Sequence, residues 1–163
     1  MAGARKDWRY RIASSGVRQW RKLVSGQATK CALWLVLLTS SSVHTDESEA
    51  VAAARNSVDT WLQLIDGGQF SESLENASPV LRNAITDENW NQSLRGSRSP
   101  LGAVQSRKLL GAKFAKDLPG APPGDYVVFG FASMFQEHDN IIETVTAKKN
   151  DNGVWRVAGY FIR

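Results

Sequence analysis

A chain of 163 residues with 42% hydrophobic content makes one globular domain, and its formal charge of +4 is unevenly divided. Residues 1–45 hold eight basic side chains against Asp7, a net of +7, whereas residues 46–163 hold 12 basic and 15 acidic ones, a net of −3. The basicity ends where the core begins, which excludes a basic nucleic-acid-binding domain, and a single cysteine, Cys31, excludes an internal disulfide.

The first 45 residues have the parts of an export signal in order. A basic stretch ends at Lys30, Cys31 to Leu38 forms an apolar run, Thr39 to Ser42 are small, and Asp46-Glu47-Ser48-Glu49 follows. Eight apolar residues are too few for the ~20 that span a bilayer but suit a signal peptide. The segment ahead of Lys30 is longer than an ordinary signal, and a start near Leu23 or Val24 would restore the usual length. This layout predicts that residues 1–45 are a leader, that the protein is periplasmic or secreted, and that it meets a membrane only transiently. The alternative is a disordered basic tail with a short apolar patch.

From residue 46 onward the chain reads as one α+β domain, N-terminal helices packed on a curved four-stranded antiparallel sheet. Val51, Ala54, Val58, Trp61, Leu62 and Ile65 recur at helical spacing, predicting a helix from Glu49 to Ile65 with Ser48 as its N-cap and Gly67-Gly68 as its stop. A short helix follows from Ser71. Ser78-Pro79 opens another that runs to Ala84, and Thr86-Asp87-Glu88 opens one to about Arg95 that buries Trp90 and Leu94. After Gly102 the pattern changes. Strands are predicted over Val104–Lys116, Tyr126–Phe135, Asn140–Lys149 and Val154–Ile162, joined by the loop Leu118 to Gly124 and by the hairpin turn Asp151-Asn152-Gly153. Tyr126 to Phe129 and Val157 to Ile162 are apolar on both faces, so those two strands are expected at the centre of the sheet.

The motifs Trp61-Leu62-x-Leu64-Ile65-Asp66-x-Gly68-x-Phe70-x-x-Ser73, Arg98-x-Pro100-Leu101-Gly102, Ser106-Arg107-Lys108-Leu109, Leu118-Pro119-Gly120-Ala121-Pro122, Glu143-Thr144-Val145 and Trp155-Arg156-Val157-x-Gly159-Tyr160 together resemble the bacterial domain of unknown function 4019 family. The resemblance covers nearly all of Ala50 to Ile162. It departs at Leu74, where the family usually has an aromatic residue. That family has no settled activity. Its helices-then-sheet order looks like the nuclear-transport-factor-2-like or cystatin-like arrangement, which hosts both enzymes and binding modules.

Six residues are candidates for a site. Asp66 directly follows the first helix, where it can be a pocket carboxylate or an acid that binds backbone amides of the next turn. Glu143 lies in a strand among Ile141, Ile142 and Val145, so it is expected to pair with Arg98 or Arg107. Those two arginines could instead hold a ligand carboxylate or phosphate. Tyr126 and Tyr160 are the tyrosines an acid would need in an enzyme of the resembled architecture. Trp61, Trp90 and Trp155 read as core. One histidine, His138, remains beyond the leader's His44, so no metal site is expected, and neither a phosphate-binding glycine loop nor a nucleophile elbow is present.

No cofactor is implied. The reading favours a non-catalytic module that binds a small ligand or a protein partner through the sheet face, with no nucleic acid and with a homodimer through that face left open. The rival is a small isomerase- or dehydratase-like enzyme using a buried Asp66 or Glu143 as general base.

Overall fold

The computed structural model describes residues 42–163, with side chains from residue 46. Most of the expected leader, including Cys31, lies outside the described residues.

Helix α1 spans Ser42–Asp66. It starts seven residues before the expected Glu49, and Ser48 lies within it rather than at its cap. Nothing between Ser42 and Glu49 is a proline or glycine, so no residue there stops the helix from extending toward its N-terminus. Its apolar stripe of Ala54, Val58, Trp61, Leu62 and Ile65 is buried. Its end is closed by the Gly67 amide on the Gln63 carbonyl (2.9 Å) and the Gln69 amide on that of Leu64 (2.8 Å), across Gly68 at φ 71°. Helices α2 (Phe70–Glu75), α3 (Pro79–Arg82) and α4 (Asp87–Ser97) follow. Ser78 caps α3 by accepting from the Val80 amide at 3.1 Å, and Thr86 caps α4 by accepting from that of Asn89 at 3.3 Å. A 3-10 turn, Ser99–Leu101, leads into the sheet.

Strands β1 (Val104–Ala115), β2 (Tyr126–Phe135), β3 (Ile141–Lys149) and β4 (Trp155–Ile162) pair antiparallel in the order β1-β2-β3-β4. The fold is α+β, with helices preceding an open antiparallel sheet. Residues Val127, Phe129 and Phe131 of β2, Val145 and Ala147 of β3, and Trp155 and Val157 of β4 join the α1 stripe in one core. Ser57 of α1 donates to the Trp155 carbonyl (2.7 Å), and the Ser78 amide to that of Val157 (2.8 Å), fixing the helices on β4.

One expectation about the sheet is corrected. β2 is central, but β4 is an edge strand and β3 holds the other central position. The register shifts between Thr146 and Ala147, whose partners are Gly159 and Val157, so Ala158 is an extra residue. The shift leaves Val157 and Ala158 buried in succession, and this bulge gives an edge strand the doubly apolar signature of a central one.

Candidate functional site

At one end of the helix–sheet seam, four charged side chains from four elements converge. Asp66 comes from the last turn of α1, Arg98 from the residue that ends α4, Arg107 from β1 and Glu143 from β3. The register brings the strand members together. Arg107 lies opposite Ser133, Glu143 opposite Phe131, and Tyr160 opposite Val145, so all four polar groups share the inner face as direct or diagonal neighbours.

Every carboxylate oxygen of the cluster is occupied. Asp66 Oδ1 accepts from Arg98 Nη2 (3.1 Å) and Arg107 Nη2 (2.9 Å), and its Oδ2 from Arg107 Nη1 (2.8 Å). Glu143 Oε2 accepts from Arg107 Nε (2.7 Å) and from the Ser133 hydroxyl. Its Oε1 accepts from the Tyr160 hydroxyl (2.5 Å) and Arg107 Nη2 (3.2 Å). Arg107 thus bridges both acids with all three guanidinium nitrogens, a geometry lysine could not supply. Arg98 donates Nη1 to the Gly102 carbonyl (2.7 Å) and lies 4.3 Å from the Phe135 ring centroid. Two acids face two arginines, so the cluster carries no formal charge. Glu143 is fully buried and Arg98 only 3% exposed.

The environment shifts several of these groups. Burial pushes the Asp66 carboxyl up, but Arg107 and then Arg98 outweigh it and hold it below its ordinary value. Burial lowers the Arg107 guanidinium, and its bonds to Asp66 and Glu143 more than reverse this, so it stays charged. Burial, then the neighbouring Glu143, raises the Tyr160 hydroxyl well above its ordinary value. Tyr160 is therefore a donor to Glu143 at any physiological pH.

Five of the six residues singled out in the sequence, Asp66, Arg98, Arg107, Glu143 and Tyr160, meet here. Glu143 pairs with Arg107, one of its two expected partners. Asp66 binds arginines instead of the amides of the next turn, because the Gly67 and Gly68 amides are already taken by the Gln63 and Ile65 carbonyls. Tyr126 lies elsewhere. Its hydroxyl donates to the Pro122 carbonyl (2.5 Å), with Lys148 Nζ 5.5 Å from its ring centroid, and burial, then Asp117, raises its pKa. Sequence reasoning missed Ser133 and Phe135. Their only signal is inward alternation with Phe131, which says nothing of the register that sets Ser133 beside Glu143.

Among the described residues, no three of His, Cys, Asp and Glu converge as a metal site would require, and no helix is long and apolar enough to cross a membrane. Fold and cluster define a class: a small α+β domain whose helix–sheet seam is closed by a charge-balanced, hydrogen-bonded cluster. The chain belongs to the family described as Protein of unknown function (DUF4019), whose model matches residues 57–160. No curated protein matches it.

Proposed function

We propose that this protein is an exported, non-catalytic module that binds a protein partner. One observation carries the non-catalytic reading: both acids that could serve as a general base have every oxygen bound by arginine, tyrosine or serine. All four lone pairs of Glu143 are spent, and the one left on Asp66 Oδ2 belongs to a carboxylate that two arginines hold below its ordinary pKa, which makes it a weak base. The cluster therefore serves as a clamp that joins α1, α4, β1 and β3.

The binding surface is then the outer face of the sheet, which no described element covers except at the Tyr126 end. Its central positions are small or apolar, namely Val128, Gly130, Ala132, Ile142 and Thr144, and a Cβ built on Gly130 meets nothing within 4 Å. Met134 and Phe161 on this face are 44% and 42% exposed. Lys108, Lys113 and Lys148 flank these positions, and the only acid in the described strands, Glu143, faces inward. That pattern matches a partner with an apolar centre and an acidic rim.

Thr144→Arg places a bulky cation at the centre of this face without touching the core. Native mass spectrometry of protein purified from its source should find a partner held by the parent and lost from Thr144→Arg, with unchanged melting. A second copy of the chain in that role would appear as a dimer. A partner kept by Thr144→Arg but lost from Glu143→Gln, without loss of stability, would move the function to the cluster and sink this reading.

A further inference from the structure

A groove of about 840 Å³ opens on the helical layer and shares no residue with the ion cluster. That lies within the roughly 300–1,000 Å³ of small-molecule sites. Its walls are the end of α2 at Leu74 and Glu75, the stretch from Arg82 to Asp87, and one face of α4 where Asn89, Gln92 and Ser93 fall at three- and four-residue spacing. Six of the 11 lining residues carry planar polar groups: Glu75, Arg82, Asn83, Asp87, Asn89 and Gln92.

Most of those groups are unspent. Among the described residues, the side-chain amides of Asn83, Asn89 and Gln92 and the charged ends of Glu75 and Arg82 make no hydrogen bond or ion pair within the chain. Asp87 is the exception, its carboxylate held by Asn91 (3.0 Å) and Ser71 (3.1 Å). The apolar share of the lining is Leu74, Ala84 and Ile85.

We propose that this groove binds a neutral saccharide. Each amide offers a donor and an acceptor side by side, the pairing that adjacent sugar hydroxyls satisfy. The apolar strip suits the C–H face of a pyranose ring. A phosphate or carboxylate ligand would call for an excess of cations, whereas the lining has Arg82 alone against Glu75 and Asp87. An extended peptide gains most from an exposed strand edge, and these walls are helices and a loop. The inference goes beyond the partner-binding reading, since the groove shares no residue with the sheet face.

The test is a nuclear magnetic resonance titration of the isotope-labelled full chain, following the side-chain NH2 signals of Asn83, Asn89 and Gln92. The probes are maltotriose, cellotriose and chitotriose, with trialanine and inorganic phosphate alongside. At least one trisaccharide should shift these signals to saturation. Gln92→Ala, at an exposed position, should weaken that binding by about tenfold, the worth of one hydrogen bond, and Thr144→Arg should leave it unchanged. Signals unmoved by all three sugars, moved equally by trialanine or phosphate, or sugar bound equally by Gln92→Ala would each overturn the proposal.

Discussion

The chain of contacts that runs from Trp90 through Trp61 and Tyr160 to Glu143 has two ends built by opposite means. At one end the Trp61 and Trp90 rings lie 6.2 Å apart, and their indole N–H groups are satisfied by neutral acceptors. Trp61 donates to the Ser73 carbonyl (2.7 Å), and Trp90 to the Ser73 hydroxyl (3.0 Å) and the Phe70 carbonyl (3.1 Å). At the other end four charges do the joining. Tyr160 belongs to both, its ring edge-on to Trp61 at 5.4 Å and its hydroxyl on Glu143. Removing a neutral bond from the first end costs a modest amount, because the bond's net worth is small. Removing one charge from the second leaves the buried cluster with an uncompensated charge. The tryptophan end should tolerate change, and the ionic end should fail as a unit.

The largest test of that contrast is Glu143→Gln. The substitution is nearly isosteric but leaves Arg107 with one charged partner, a loss typically worth about 3–5 kcal/mol. Denaturant unfolding should show a large fall in midpoint with an unchanged slope. A variant as stable as the parent would show the cluster to be dispensable. A double-mutant cycle with Arg107→Gln sharpens the point: the paired variant should cost clearly less than the two single losses added.

Trp90→Phe probes the neutral end. It keeps a ring in the core but deletes the indole donor, while Ser73 retains its own bond to the Phe70 carbonyl (2.6 Å). The expected loss is about 1–3 kcal/mol, from the lost bond and the smaller ring. It should be the same at every pH, whereas the loss from Asp66→Asn should vary with pH. Equal pH profiles for the two variants would erase the distinction between the ends.

What could be read from the sequence divides in a similar way. The α1 stripe, the caps at Ser78 and Thr86 and the turn at Gly153 rest on neighbours within a few residues, so spacing alone exposes them. The ionic end depends on pairs such as Asp66 with Arg107, 41 residues apart, which meet only once the length of α1 and the register of β1 on β2 are both set. Burial did point to a partner for Glu143, because a strand acid among isoleucines and valine has few other options. It could not choose between Arg98 and Arg107, nor foresee that Asp66 would share the second. The bulge at Ala158 misled in the same manner, since a register shift is invisible in a run of apolar residues.

The smallest effect concerns pH, and it tells two members of the ionic end apart without altering packing. Asp66 titrates in the folded protein below its ordinary value of 3.8. A depressed acid contributes stability that is present above the unfolded value and is lost as pH falls through the folded one. Tyr160 has the opposite sense. Its raised folded pKa contributes stability that is present below the unfolded value near 10.0 and is lost as pH climbs toward the folded value. Stability should therefore decline below about pH 4 and again above about pH 10. Asp66→Asn should remove its share of the acid limb only, and Tyr160→Phe its share of the alkaline limb only. Subtracting each variant's stability curve from the parent's isolates that share from the other titrating groups. A flat difference curve for Asp66→Asn between about pH 2 and pH 5 would mean the arginines do not hold that carboxylate below its unfolded value. The acid sensitivity of the fold would then have to come from acids other than Asp66.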